Sequence, residues 1–147
     1  DTLGNQIYKY DGKTATPLTS KDNLESPNGL YVDGDHLVVA SWGAIKSFSE
    51  KPKVAGKLFT VSFDGSAKKA VSKSFWNLDG LEKVKDSFVV SDWVSGKIYK
   101  VSSKGKVQVI SLGKQGTADL NVVTEADGTT LVVVPQMMEN KLTAFKL

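Results

Sequence analysis

Two stretches of the chain nearly repeat each other: HLVVASWG at residues 36–43 and SFVVSDWVSG at residues 87–96. Leu37 and Phe88 are 51 residues apart, as are Trp42 and Trp93. Before each lies a matching segment, SPNGLYV at 26–32 and NLDGLEKV at 77–84, with Gly29 and Gly80 again 51 apart. After each comes another match, GKLFTVSFDG at 56–65 and GKIYKVSSKG at 96–105, where Leu58 and Ile98 differ by only 40 because the first unit carries the insertion AIKSFSEKPKVA. Each unit then closes on a Lys-bearing alternating segment, AKKAVSK or KVQVISL. A repeat on this scale restricts a chain to architectures built by stacking one supersecondary unit.

The segments are short, rich in Val, Ile, Phe and Tyr, and bounded by Gly, Asp, Asn or Lys-Gly turns, which is the pattern of β-strands. Residues 66–76 come closest to a helical period, but the strand reading fits the repeat better. Four antiparallel strands in 40–50 residues make a β-propeller blade. With the strands lettered A to D from the inside outwards, the chain reads C-D, A-B-C-D, A-B-C-D, A-B-C. The apolar runs VVASW and VVSDW are then successive B strands, buried between neighbouring blades, each with a large Trp at its end to wedge into the neighbour. The expectation is an all-β partial propeller of about three four-stranded blades, divided at 1–25, 26–76, 77–116 and 117–147. Closed propellers have about four to eight blades. The sequence therefore reads as the C-terminal half of a six-bladed ring, completed by a missing N-terminal half or by a second copy of the chain.

Charge removes some functions. The chain has 19 basic and 16 acidic residues, and every basic residue is Lys. Nucleic-acid readout leans on the bidentate Arg fork, so no nucleic-acid partner is expected. The lysines are scattered rather than clustered, and no apolar run approaches a membrane span, so no membrane partner is expected. There is no Cys, which excludes disulfides and thiolate chemistry.

In a propeller the start of strand A faces the shared axis. Three blades place an oxygen-bearing side chain there: Asn28 in PNGL, Asp79 in LDGL and Asp119 in ADLN, at intervals of 51 and 40. Oxygen ligands converging on a channel suit a hard divalent cation such as calcium or magnesium. Water on such a cation is activated for hydrolysis. Asn and Asp before Gly also serve simply as turn residues. Asp119 is the weakest of the three, because Leu120 stands where the others have Gly. Trp42 and Trp93 are candidates to line the channel or stack on a sugar, with blade packing as the plainer role. His36, the single histidine, sits in DGDH and reads as a turn residue. Met137 and Met138 read as core or blade-edge filler.

SPNGLYVDGDHLVVASWG and NLDGLEKVKDSFVVSDWVSGKIYKVS together resemble the family of SMP-30, gluconolactonase and related NHL-type propellers. The likeness covers nearly the whole chain but only the second half of such a ring. It implies a six-bladed fold with one divalent metal in the channel, calcium or zinc, and hydrolysis of small lactones or sugar-derived esters. It also implies that Asn28 and Asp79 are metal ligands, with Asp79 doubling as general base, and that a Glu and a further Asn come from earlier blades. It carries no role for Asp119. The alternative within the same family is a non-catalytic NHL-type propeller that binds or scaffolds a partner.

Overall fold

The structure, a computed structural model, describes residues 1–18 and 24–147. Thirteen strands fall into four antiparallel sheets among the described residues. The first sheet pairs β1 (Tyr8–Tyr10) with β2 (Ala15–Pro17). The second runs β3 (Pro27–Asp33), β4 (His36–Ser41), β5 (Leu58–Ser62), β6 (Lys68–Ala70). The third repeats it with β7 (Leu78–Val84), β8 (Ser87–Asp92), β9 (Lys97–Ser102) and β10 (Val107–Leu112). The fourth holds β11 (Asn121–Thr124), β12 (Thr130–Gln136) and β13 (Lys141–Lys146). Every strand pairs with its sequence neighbour, the up-and-down meander of a propeller blade. The fold is all-β, and it is a partial propeller. The segment with the helical undertone holds a strand of only three residues, β6, so the D strand of that blade is shorter than the seven-residue AKKAVSK segment suggests.

The core lies between the sheets, in three layers. Ile7, Leu24, Leu37, Val39, Phe59 and Val61 fill the first interface. Val38, Ala40, Leu58, Leu78, Leu81, Phe88, Val90, Tyr99 and Val101 fill the second. Val89, Ile98, Leu120, Val132 and Val134 fill the third. Alternation sorts the B strands between layers: in β4, Leu37 and Val39 point one way and Val38 and Ala40 the other. A strand buried on both faces needs an unbroken apolar run, which is the physical reason for VVA and VVS.

Within the blades, strand ends are held by polar contacts and close backbone approaches. Ser72 Oγ accepts the Leu58 N–H at 3.0 Å, while the Ser72 N–H donates to Leu58 O at 3.2 Å. Gly56 sits where an added Cβ would lie 1.8 Å from Ser41 O and 2.7 Å from Trp76 O, so only Gly allows these backbones to approach. Asp1 Oδ1 accepts the Gly4 N–H at 2.7 Å, and Asp92 Oδ1 accepts the Ser95 N–H at 3.0 Å. The two aspartates therefore close equivalent turns before β1 and β9, as their matched spacing to Ile7 and Ile98 suggests.

Candidate functional site at the inner strand edge

The innermost strands β3, β7 and β11 are successive neighbours, with β7 packed against both others. Asn28 and Asp79 lie at the same end of β3 and β7, and both sit at bulges. The β3–β4 register shifts between Pro27 and Gly29, and the β7–β8 register shifts between Leu78 and Leu81. They are strand residues, not turn residues. A bulge leaves its extra residue out of the ladder and re-aims its side chain. Here Asn28 Nδ2 donates to Asp79 Oδ2 across the blade boundary at 3.4 Å.

The glycines after them have a packing role. A Cβ on Gly29 would meet Asp79 O at 2.4 Å, and one on Gly80 would meet Leu120 N at 2.7 Å and Asp119 Cα at 2.8 Å. The Gly in NG and DG lets each inner strand press against the next, and that approach brings the polar side chains together.

The third blade departs from the repeat. The Trp42 N–H donates to Ser26 O, the Trp93 N–H to Asn77 O and the Met137 N–H to Gly116 O, three equivalent bonds. The bridge from Thr117 to Gln136 likewise matches the pairs Pro27–Ser41 and Leu78–Asp92. In this register Ala118, 39 residues after Asp79, is the counterpart of Asn28 and Asp79. Asp119 stands in the glycine position, one residue out of step with the 40-residue interval read from the sequence. Its Oδ1 accepts the Leu120 N–H at 2.9 Å and lies where a Gly80 Cβ would touch it at 2.9 Å.

Asp119 nevertheless acts on Asp79. Burial, then the Asp119 charge, push the Asp79 carboxyl up to about 6 against a weaker opposing hydrogen bond from Asn28. Glu82, farther along β7, is raised for the same first two reasons. A buried Asp79 carboxyl beside the acidic side chain of Asp119 makes a patch short of positive charge.

Sequence reasoning missed Ser91. Its Oγ accepts the Gly80 N–H at 2.7 Å and donates to Ala118 O at 2.7 Å, filling the gap that the bulge leaves and tying β7 to the start of the next blade. The signal was the difference between VVASW and VVSDW, a hydroxyl in an otherwise apolar run. Ser91→Ala is expected to lose about 1–2 kcal/mol in denaturant unfolding, because a buried N–H is left without an acceptor. An unchanged midpoint would contradict that role.

Trp42 and Trp93 pack on each other with ring centroids 5.9 Å apart and planes at 44°. Phe48, from the insertion, meets Trp42 edge-on at 5.2 Å. Trp42 is buried and Trp93 half-buried. Asn77 Nδ2 donates to Trp42 O at 3.1 Å, joining the two blades at this end. Met137 takes the equivalent place in the next blade and is exposed with Met138, so of the two roles expected of the methionines, core or blade-edge filler, the core one does not hold. His36 opens β4 beside the turn, its Nδ1 2.9 Å from Asp35 Oδ1 at the opposite end of the sheet. Among the described residues, no three His, Cys, Asp or Glu side chains form a metal-holding cluster.

The sequence matches no protein family profile and no curated protein. Among solved structures the chain is similar to a chain of the nidogen/laminin complex, at TM-score 0.63 and 16% identity over 99% of this chain and 57% of that one. It is similar to a streptogramin B lyase at TM-score 0.60 and 12% identity, covering 99% of this chain and 49% of the other. Virginiamycin B lyase from Staphylococcus aureus follows at TM-score 0.52 and 15% identity, with 98% and 49% covered. The chain thus spans about half the length of the structures it resembles. The likeness defines the class: part of a β-propeller.

Proposed function

We propose that the chain is the C-terminal part of an SMP-30/gluconolactonase-like propeller. In this reading it holds a divalent cation, calcium or zinc, at the inner strand edge and hydrolyses a small lactone or sugar-derived ester. The observation that carries this reading is the Asn28–Asp79 hydrogen bond between equivalent bulges of adjacent blades.

The donor set fits a hard cation. Asn28 offers an amide oxygen once its amide is turned, and Asp79 offers a carboxylate beside a second carboxylate on Asp119. A cation would supply the positive charge that this patch lacks. Bound there, it would lower the pKa of a coordinated water. Asn28 and Asp79 would hold it. Above its pKa of about 6, Asp79 is ionised and is the base available to take a proton. The Asn28 amide orients Asp79, and the close strand contact at Gly80 holds that carboxylate in place.

In this reading the ring is completed by the missing N-terminal half of the propeller or by a second copy of the chain, which would supply the remaining ligands.

Added calcium or zinc is expected to raise the melting temperature by binding the folded state alone, and Asp79→Ala is expected to abolish the rise. No shift in the unmutated protein, or an equal shift in the variant, would overturn the metal site and leave a non-catalytic binding propeller.

A further inference from the structure

The insertion at residues 44–55 is built as a closed, anchored loop. Its neck is a bridge between Gly43 and Ala55, with the Ala44 N–H donating to Val54 O at 3.1 Å. Ile45 is buried under Ser26, and the Glu50 side chain accepts the Lys46 N–H at 3.1 Å inside the loop. The equivalent connection in the next blade is only a turn through Val94 and Ser95, so this loop is an addition to the repeat, not part of it. It borders a cleft of about 630 Å³ whose other side is formed by Asn5, Glu25 and Ser26.

The charged lining of the cleft is three lysines against two glutamates, Glu25 and Glu50. Lys46, Lys51 and Lys53 line it from the loop, and none of the three makes an ion pair among the described residues. On the facing wall Glu25 Oε1 holds Lys57 at 2.9 Å and Lys68 at 3.4 Å, while Oε2 is out of solvent with no hydrogen-bond partner. Glu25 and Ser26 both take left-handed backbone conformations, at φ 56° each. Two consecutive non-glycine residues in that region are held there against a conformational cost, a feature that collects at binding sites.

We propose that this cleft is a binding site for a small polyhydroxylated organic anion. Its carboxylate or phosphate would be met by Lys46, Lys51 and Lys53, and a hydroxyl would donate to the Glu25 carboxylate. The lysines select charge and Glu25 selects hydroxyls. Neither feature alone defines the ligand. The site lies between the loop and the Asn5, Glu25 and Ser26 segments, does not include Asn28 or Asp79, and does not depend on the hydrolase reading.

Calorimetric titration at low salt with three six-carbon probes separates the two demands: D-gluconate carries both charge and hydroxyls, hexanoate only charge, and D-glucitol only hydroxyls. Gluconate is expected to bind about tenfold or more tightly than either of the others. Lys51→Gln with Lys53→Gln is expected to weaken gluconate by about tenfold while melting like the unmutated protein, since both side chains are exposed. Glu25→Gln is expected to erase the preference for gluconate over hexanoate. Equal binding of gluconate and hexanoate, undetectable gluconate binding, or unchanged affinity in the double lysine variant would each overturn the proposal.

Discussion

In cation-free buffer, Asp79→Asn is expected to make the protein more stable above pH 6, by about 2–3 kcal/mol. Burial first, and Asp119 second, raise the folded-state pKa of Asp79 to about 6 from an ordinary value of 3.8. The group binds its proton more tightly folded than unfolded. Its penalty is therefore absent below the unfolded value, grows as pH rises from about 4 to about 6, and is fully present above that. A shift of about two pKa units corresponds to roughly 3 kcal/mol, and some solvent access lowers it. The amide is isosteric and uncharged, so it removes the penalty. Glu82 is raised too, by burial and by Asp119, so some slope remains in the variant. The difference between the two proteins is what isolates Asp79. Denaturant unfolding at pH 4.5 and pH 7.5 decides it: the stabilisation should be small at the first pH and large at the second. Equal effects at both would mean that Asp79 is not desolvated as the structure has it.

The repeat made most of the fold legible, because blade packing writes itself into sequence. A strand covered on both faces must be apolar throughout, so β4 and β8 stand out as Val-Val runs. The polar positions Asn28 and Asp79 were legible as a pair because the same bulge recurs 51 residues later. The packing role of their glycines was not visible, since the sequence does not show that a Cβ on Gly29 would lie 2.4 Å from Asp79 O on the neighbouring strand. Asp119 was placed one step wrong because the connections between blades differ in length, and only backbone pairing fixes the register. The 44–55 loop was visible as an insertion. Its cleft was not, because Glu25 and Lys51 reach it from separate segments. Nor does anything in the letters GluSer announce two left-handed residues.

Phe59→Ala is expected to have the largest effect of any single substitution here. Phe59 is fully buried on β5, packed with Ile7, Leu24, Leu37, Val39 and Val61, and Leu18 closes the layer from the partly buried side. It is the largest of the side chains buried this completely, and it joins the N-terminal strand pair to the second sheet. The Lys68 ammonium lies 4.1 Å from its ring centroid. Truncation removes the ring's burial, leaves a cavity between rigid sheets, and strips Lys68 of its aromatic contact, so a loss of about 3–5 kcal/mol is expected. Phe63, four residues on in the turn after β5, is 42% exposed. Phe63→Ala should stay within about 0.5 kcal/mol and controls for the loss of an aromatic as such. If the N-terminal strands are part of one cooperative unit, the Phe59 variant unfolds at lower denaturant with an unchanged slope. A loss no larger than that of Phe63→Ala, or a shallower slope with early proteolysis confined to residues 1–18, would show that β1 and β2 open independently. Asn5, which lines the Glu25 cleft, would then open with them.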